Sequence, residues 1–83
     1  VDALYKIMDG KAEVISFIAN SSTHFLRRPI KDLALKKDLI IACILHKNVV
    51  TIPHGNESIQ AGDKVLIATK GHHIIKDLND ILE

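Results

Sequence analysis

The sequence contains a single cysteine, Cys43, and it stands inside an apolar run, so neither a disulfide framework nor a cysteine zinc site can be assembled. A reducing, cytoplasmic setting fits that usage. Tryptophan is absent and the aromatic residues are Tyr5, Phe17 and Phe25, none of them interleaved with basic residues, which argues against a base-stacking platform for nucleic acid. No sign of charge predominates: 11 Lys and Arg against 10 Asp and Glu give a net charge of +1, spread along the chain, so no strong field for nucleic acid or anionic lipid arises. The longest apolar run, Leu39 to Leu45, is far shorter than the roughly 20 residues a membrane-crossing helix needs, and no signal-peptide pattern opens the chain. Direct membrane insertion is not expected. The Gly-x-Gly-x-x-Gly fingerprint is also missing, and with it the phosphate cradle of a dinucleotide fold.

What is present is a small core-forming chain. The 83 residues are 47% apolar and 25% charged, ordinary for a folded domain, but a chain this short buries a modest share of its surface and commonly relies on a partner or staple. The chain opens on Val1 without an initiator Met, so it is expected to be part of something longer.

The pattern along the chain predicts an α+β fold: a small mixed, mostly antiparallel sheet with a short helix and a C-terminal amphipathic helix. Residues 1–11 read as a linker or the end of a helix, because Val1, Leu4, Ile7 and Met8 are helically spaced before the Asp9-Gly10 turn. Residues 12–83 read as the domain proper. Ala12 to Ala19 is β-branched and apolar on both faces, as in a strand buried twice. Pro29 suits the first turn of a short helix through Ala34. Leu39 to His46 is the clearest strand, followed across Lys47-Asn48 by Val49 to Ile52, a hairpin whose Asn tolerates a left-handed backbone. Gly62-Asp63 turns the chain into a last strand, Lys64 to Thr69. From His72 onward, Ile74, Ile75, Leu78, Ile81 and Leu82 recur at helical spacing, although Asp80 and Glu83 oppose the dipole of a helix ending there.

Candidate chemistry is sparse. The histidines His24, His46, His54, His72 and His73 are scattered, and the adjacent pair cannot share a helical face as an i, i+4 metal pair does, so no metal site is expected. His46 and His54 flank one arm of the hairpin and are placed to hydrogen-bond a ligand; the alternative is that each is a solvated loop residue. Arg27 and Arg28 before Pro29 are candidate phosphate partners, against the simpler reading of a solvated basic pair. No serine stands in a nucleophile elbow, Cys43 reads as core, and the carboxylates form no recognisable pair, so an enzyme is not expected.

Leu39 to His46 leaves no solvated side. With Leu39, Ile41, Cys43 and Leu45 on one face, the residues Ile40, Ala42 and Ile44 line the other, joined by Val50 and Ile52. One terminal helix cannot easily cover both faces. Either the short helix covers the remainder, or Ile40, Ala42, Ile44, Val50 and Ile52 form the interface of a homodimer.

Taken in order, IIACILHKNVVTIPHGNESIQAGDKVLIAT resembles the TrkA C-terminal domain family, RCK_C: apolar strand, basic turn, strand, Pro-x-Gly, Gly-Asp, apolar strand. AEVISFIA and LRRPIKDLAL extend the resemblance upstream, to about Ala12 through Leu82. The resemblance implies a regulatory domain of a cytoplasmic subunit controlling potassium or other cation transport, peripheral to the inner face of the cell membrane through its partner, a membrane-embedded potassium transporter subunit. It implies no NAD or ATP site in this piece, only in an upstream nucleotide-binding domain. Some members bind cyclic di-AMP between two such domains, which marks Ile40, Ile41, Ala42, His46, Pro53 and His54 as candidate ligand contacts and Arg27 and Arg28 as phosphate partners. A ligand-free assembly domain of a transporter or antiporter is the alternative.

Overall fold

A computed structural model describes residues 1–71 and 73–83. Five strands form one antiparallel sheet: β1 (Ala3–Ile7), β2 (Ala12–Ile18), β3 (Leu39–His46), β4 (Val49–Thr51) and β5 (Lys64–Lys70), in the spatial order β1-β2-β5-β3-β4. The last strand in sequence thus occupies the centre, where β2 and β3 clamp it from both sides. Its inward residues Val65 and Ile67 are fully buried, as a central strand demands.

Register decides which residues share a face. Ile15 pairs with Ile67 and Phe17 with Val65; Ile41 and Ile44 on β3 oppose the same two β5 residues. These side chains point to one side, the core side. Three irregular stretches cover it, carrying Ala19 and Phe25, Ile59, and Ile75, Leu78 and Ile81. Leu26, Ile30, Leu33, Leu35 and Leu82 pack around that cluster. Backbone hydrogen bonds stitch the covers together: Arg27 N–H donates to Ile59 O at 2.8 Å, Ile30 N–H to Glu57 O at 2.9 Å, and Lys36 N–H to Ile81 O at 2.9 Å.

The β3–β4 hairpin forms as expected. Lys47 and Asn48 both have positive φ, 47° and 65°, the signature of a two-residue turn matching the twist of its strands.

Three expectations fail, each for a local reason. Ala3–Ile7 is a strand and not the end of a helix, because pairing with Val14, Ile15 and their neighbours satisfies a backbone too short to nucleate a helix alone. Pro29 does not open an α-helix; it precedes a 3₁₀ turn at Ile30–Asp32. The C-terminal amphipathic helix is absent from the described residues, which exclude His72, and only a 3₁₀ turn at Leu78–Ile81 forms. Here Asp77 and Asp80 make a capping box, the Asp80 carboxylate accepting from Lys76 and Asp77 N–H at 3.0 Å each. Asp80, which would burden a helix C-terminus, instead helps begin a turn. Beyond it, Leu82 bridges to Leu35 in extended backbone.

Candidate functional site

A β-bulge organises the surface of β3. Between Ile41 and Cys43 the register slips by one, so Ile41 opposes Ile67 while Cys43 opposes Leu66, and Ala42 is the extra residue. Strict alternation would place Ile44 with Ile40. The bulge reverses the phase, turning Ile44 into the core at 3% exposure and moving Cys43 and Leu45 to the opposite side. Ile44 is therefore not available to a dimer interface, and Ile41, buried beside Ile67, is not available to a ligand on the free face.

Among the described residues, no element covers the opposite side, the outer face. Pairing aligns Tyr5 with Val14, Val14 with Ala68 and Ala68 with Ile40; the next row joins Ala3, Ser16, Leu66 and Cys43. Ile18 and Leu45 flank Lys64 at one end, and Val50 continues from Leu45 onto the edge. Tyr5, Ile40 and Val50 are each at least 60% exposed, and Ile18 nearly half. A shallow, mostly apolar hollow lies among Ala12, Ile40 and Ala68, with Asp38 and Lys70 at its rim.

At the other end of β3, His46 opens onto a polar cleft shared with Thr51, Asn56, Glu57, Ser58 and Asp63. The Gly62-Asp63 turn delivers Asp63 beneath the hairpin with its side chain only 3% exposed. There its Oδ1 accepts a hydrogen bond from His46 Nδ1, and Oδ2 accepts from Gln60 N–H at 2.9 Å. The carboxylate thereby orients the imidazole, leaving Nε2 as the polar atom the ring can offer to a ligand.

Glu57 shapes the wall of the same cleft. Its Oε1 accepts from His54 N–H at 2.7 Å and Gly55 N–H at 3.0 Å, closing the Pro-His-Gly turn. Hydrogen bonds from its own backbone N–H and then that of His54 hold its carboxyl below the usual carboxylate range, outweighing a small desolvation in the other direction.

The residues marked from the sequence therefore divide among several places. Ile40 lines the apolar hollow, whereas His46, six residues along β3 and so about 20 Å away at strand rise, lines the polar cleft. One small ligand on one chain cannot touch both. Ala42 is the bulge residue, Pro53 is half-buried, and His54 is exposed in the turn and outside the lining of the cleft. Arg27 and Arg28 are exposed in the loop before Pro29, and Ile52 lies exposed just beyond β4. Among the described residues no group of three or more His, Cys, Asp or Glu side chains is arranged to hold a metal ion. No helix among them is long and apolar enough to cross a membrane.

Two functional features escaped the sequence. Asp63 carried a turn signal but none for its histidine partner, 17 positions away. Tyr5, the most exposed aromatic of the outer face, sat in a segment whose spacing looked helical; only pairing with β2 assigns it a side.

Comparison with known proteins bears on the whole domain. The TrkA-C domain family matches residues 14–82. The chain is 31% identical over 67 residues to the Trk system potassium uptake protein TrkA homolog 2 of Methanosarcina mazei, a match covering 81% of this chain and 15% of that protein. It is 37% identical over 73 residues to the Trk system potassium uptake protein TrkA homolog of Pyrococcus abyssi, covering 87% of this chain and 32% of that protein. The chain thus spans 15% to 32% of the length of these relatives. Among solved structures, an RCK domain with cda superposes with a TM-score of 0.63 at 20% identity, covering 84% of this chain and 97% of that one, a likeness of fold. With the family pattern running through nearly every strand and turn described above, the chain belongs to the TrkA-C domain family.

Proposed function

We propose that this chain is the ligand-sensing and dimerising regulatory domain of a cytoplasmic subunit that controls potassium transport. Membership of the TrkA-C family, with relatives named for potassium uptake, supports the transport assignment. The observation that carries the pairing is the outer face: a sheet surface with Tyr5, Ile40 and Val50 laid open, on a domain small enough to gain from burying it. The polar cleft at His46 supports a ligand role, since a half-buried imidazole held by a buried carboxylate offers one fixed hydrogen-bonding atom.

Sensing then requires that ligand favour one arrangement of the paired domains over another, so that occupancy alters the membrane-embedded transporter subunit attached through the rest of the protein. Cyclic di-AMP, the ligand implied by the family resemblance, is the first to test. Ile40 and His46 lie too far apart to serve it together on one chain, so the polar cleft at His46 is the first place to test.

Sedimentation equilibrium at micromolar concentration, with and without cyclic di-AMP, tests both parts together with calorimetric titration of the same compound. A dimer whose association strengthens on addition is the expected result. A monomer at every concentration overturns the pairing, and a dimer that takes up no ligand leaves a purely structural assembly domain.

A further inference from the structure

Among the described residues, two surfaces of the sheet could meet a partner: its edges, at β1 and β4, and its outer face. Three observations separate them. One row of the outer face is apolar from Tyr5 and Val14 through Ala68 to Ile40; the next sets Ser16 among Ala3, Leu66 and Cys43, and the last sets Lys64 between Ile18 and Leu45, with Val50 beyond. Strands of 5, 7, 8, 3 and 7 residues, about 4.8 Å apart and rising about 3.3 Å per residue, present about 475 Å² in projection. The accessible area of a corrugated side-chain layer exceeds its projection, which brings it toward the roughly 800 Å² per partner of a stable interface.

Charge is confined to the two ends of the central strand and is already neutralised there. Lys64 Nζ lies 3.2 Å from Asp2 Oδ2, and Lys70 Nζ lies 3.7 Å from Asp38 Oδ1. A lipid surface or a nucleic acid would need unpaired cations. An apolar face with a neutralised rim suits a surface of the same kind, and a second copy of this chain supplies one. The hollow at Ala12, Ala68 and Ile40 also offers a socket for a side chain from the partner, which two-fold symmetry would return in kind.

We infer, resting on the pairing proposed above, that two copies join outer face to outer face as a sandwich of two five-stranded sheets, with Tyr5, Ile40 and Val50 in the interface and both sheet edges outside it. Stacked sheets lie about 10 Å apart, a gap filled by the inward side chains of both.

Strand alternation provides the test. Val49 and Val50 are neighbours of nearly equal exposure, 62% and 64%, but only Val50 shares the outer face; on β1, Tyr5 faces outward and Leu4 does not. Dimer dissociation constants measured by sedimentation for Tyr5→Asp, Ile40→Asp and Val50→Asp are expected to rise at least about ten-fold, and those for Leu4→Asp and Val49→Asp to stay within about two-fold. In the unmodified chain, Cys43 provides a second readout, because it pairs with Leu66 on the outer face: its rate of labelling by a thiol reagent should fall as protein concentration rises through the dissociation constant. A dimer unaffected by the outer-face substitutions, or broken equally by Leu4→Asp and Val49→Asp, overturns the sandwich and points to another surface or to edge pairing. A chain that never dimerises fails the earlier proposal instead.

Discussion

His46 on β3 and Asp63 at the entrance to β5 are joined through Nδ1 and Oδ1, and the same carboxylate holds the backbone of Gln60. One buried acid therefore fixes a candidate ligand group and the turn that starts the central strand. Asp63→Ala takes the acceptor away from both donors, the His46 ring and the Gln60 N–H, and should lower stability by about 1–3 kcal/mol. His46→Ala removes a half-exposed partner and should cost about 1 kcal/mol. Urea unfolding of the two variants measures the difference; equal effects would mean that the carboxylate matters only through the histidine.

Glu57 supplies a pH dependence of determined sign. Its folded-state pKa is lowered by hydrogen bonds from its own N–H and that of His54, so its contribution is fully present above the ordinary carboxylate range and is lost as pH falls through the lowered value. Asp2 acts in the same direction, its carboxyl lowered first by the Lys64 hydrogen bond and then by Ser16. Unfolding midpoints should decline below about pH 4.5, with a shallower decline in Glu57→Gln. The Asp2 share should also shrink with added salt, since that pair is exposed.

Strands β2 to β5 were legible because their residues are largely β-branched and bounded by turns such as Lys47-Asn48, whose backbone conformation the sequence anticipates, whereas β1 looked helical until its pairing with β2 was seen. The bulge was not. Leu39 to Leu45 is apolar at every position, so inserting one residue leaves the pattern unchanged, and only pairing with Leu66 and Ile67 shows that Ile44 has crossed to the core. The C-terminal segment misled for a related reason: Ile75, Leu78 and Ile81 are spaced by three, which satisfies a 3₁₀ turn and its approaches as well as a helix, and Asp77 and Asp80 tip the balance through capping. The pairing of His46 with Asp63 was out of reach because it depends on two strands meeting in space.

Ile40 and Ile44 convert the bulge into a measurement. Alternation alone makes them equivalent, yet one is 60% exposed and the other 3%. Ile44→Ala should cost about 2–5 kcal/mol in urea unfolding. Ile40→Ala should stay within about 0.5 kcal/mol when measured below the dimer dissociation constant. Similar losses at both positions would place them on one face and remove the bulge.

Gly71 and Gly62 should both resist alanine, for different physical reasons. At Gly71 a Cβ would stand 2.7 Å from the carbonyl oxygen of Gly10, and the Gly71 N–H donates to Lys11 O at 3.2 Å. The clash is with backbone, which no rotamer relieves, so Gly71→Ala must push the β1–β2 turn away from the end of β5 at a cost of about 1–3 kcal/mol. At Gly62 there is open space, but φ is +93°, a conformation that an L side chain resists at about 1 kcal/mol. Chirality separates the two, since a D residue adopts positive φ readily. In synthetic chains, D-alanine at Gly62 should recover the stability lost with L-alanine. Amide exchange in Gly71→Ala should quicken at Ile7 and Ala12, the last pair of the β1–β2 ladder, before it quickens elsewhere in the sheet. Uniform acceleration across the sheet would show instead that the contact with Gly10 supports the whole fold and not one turn.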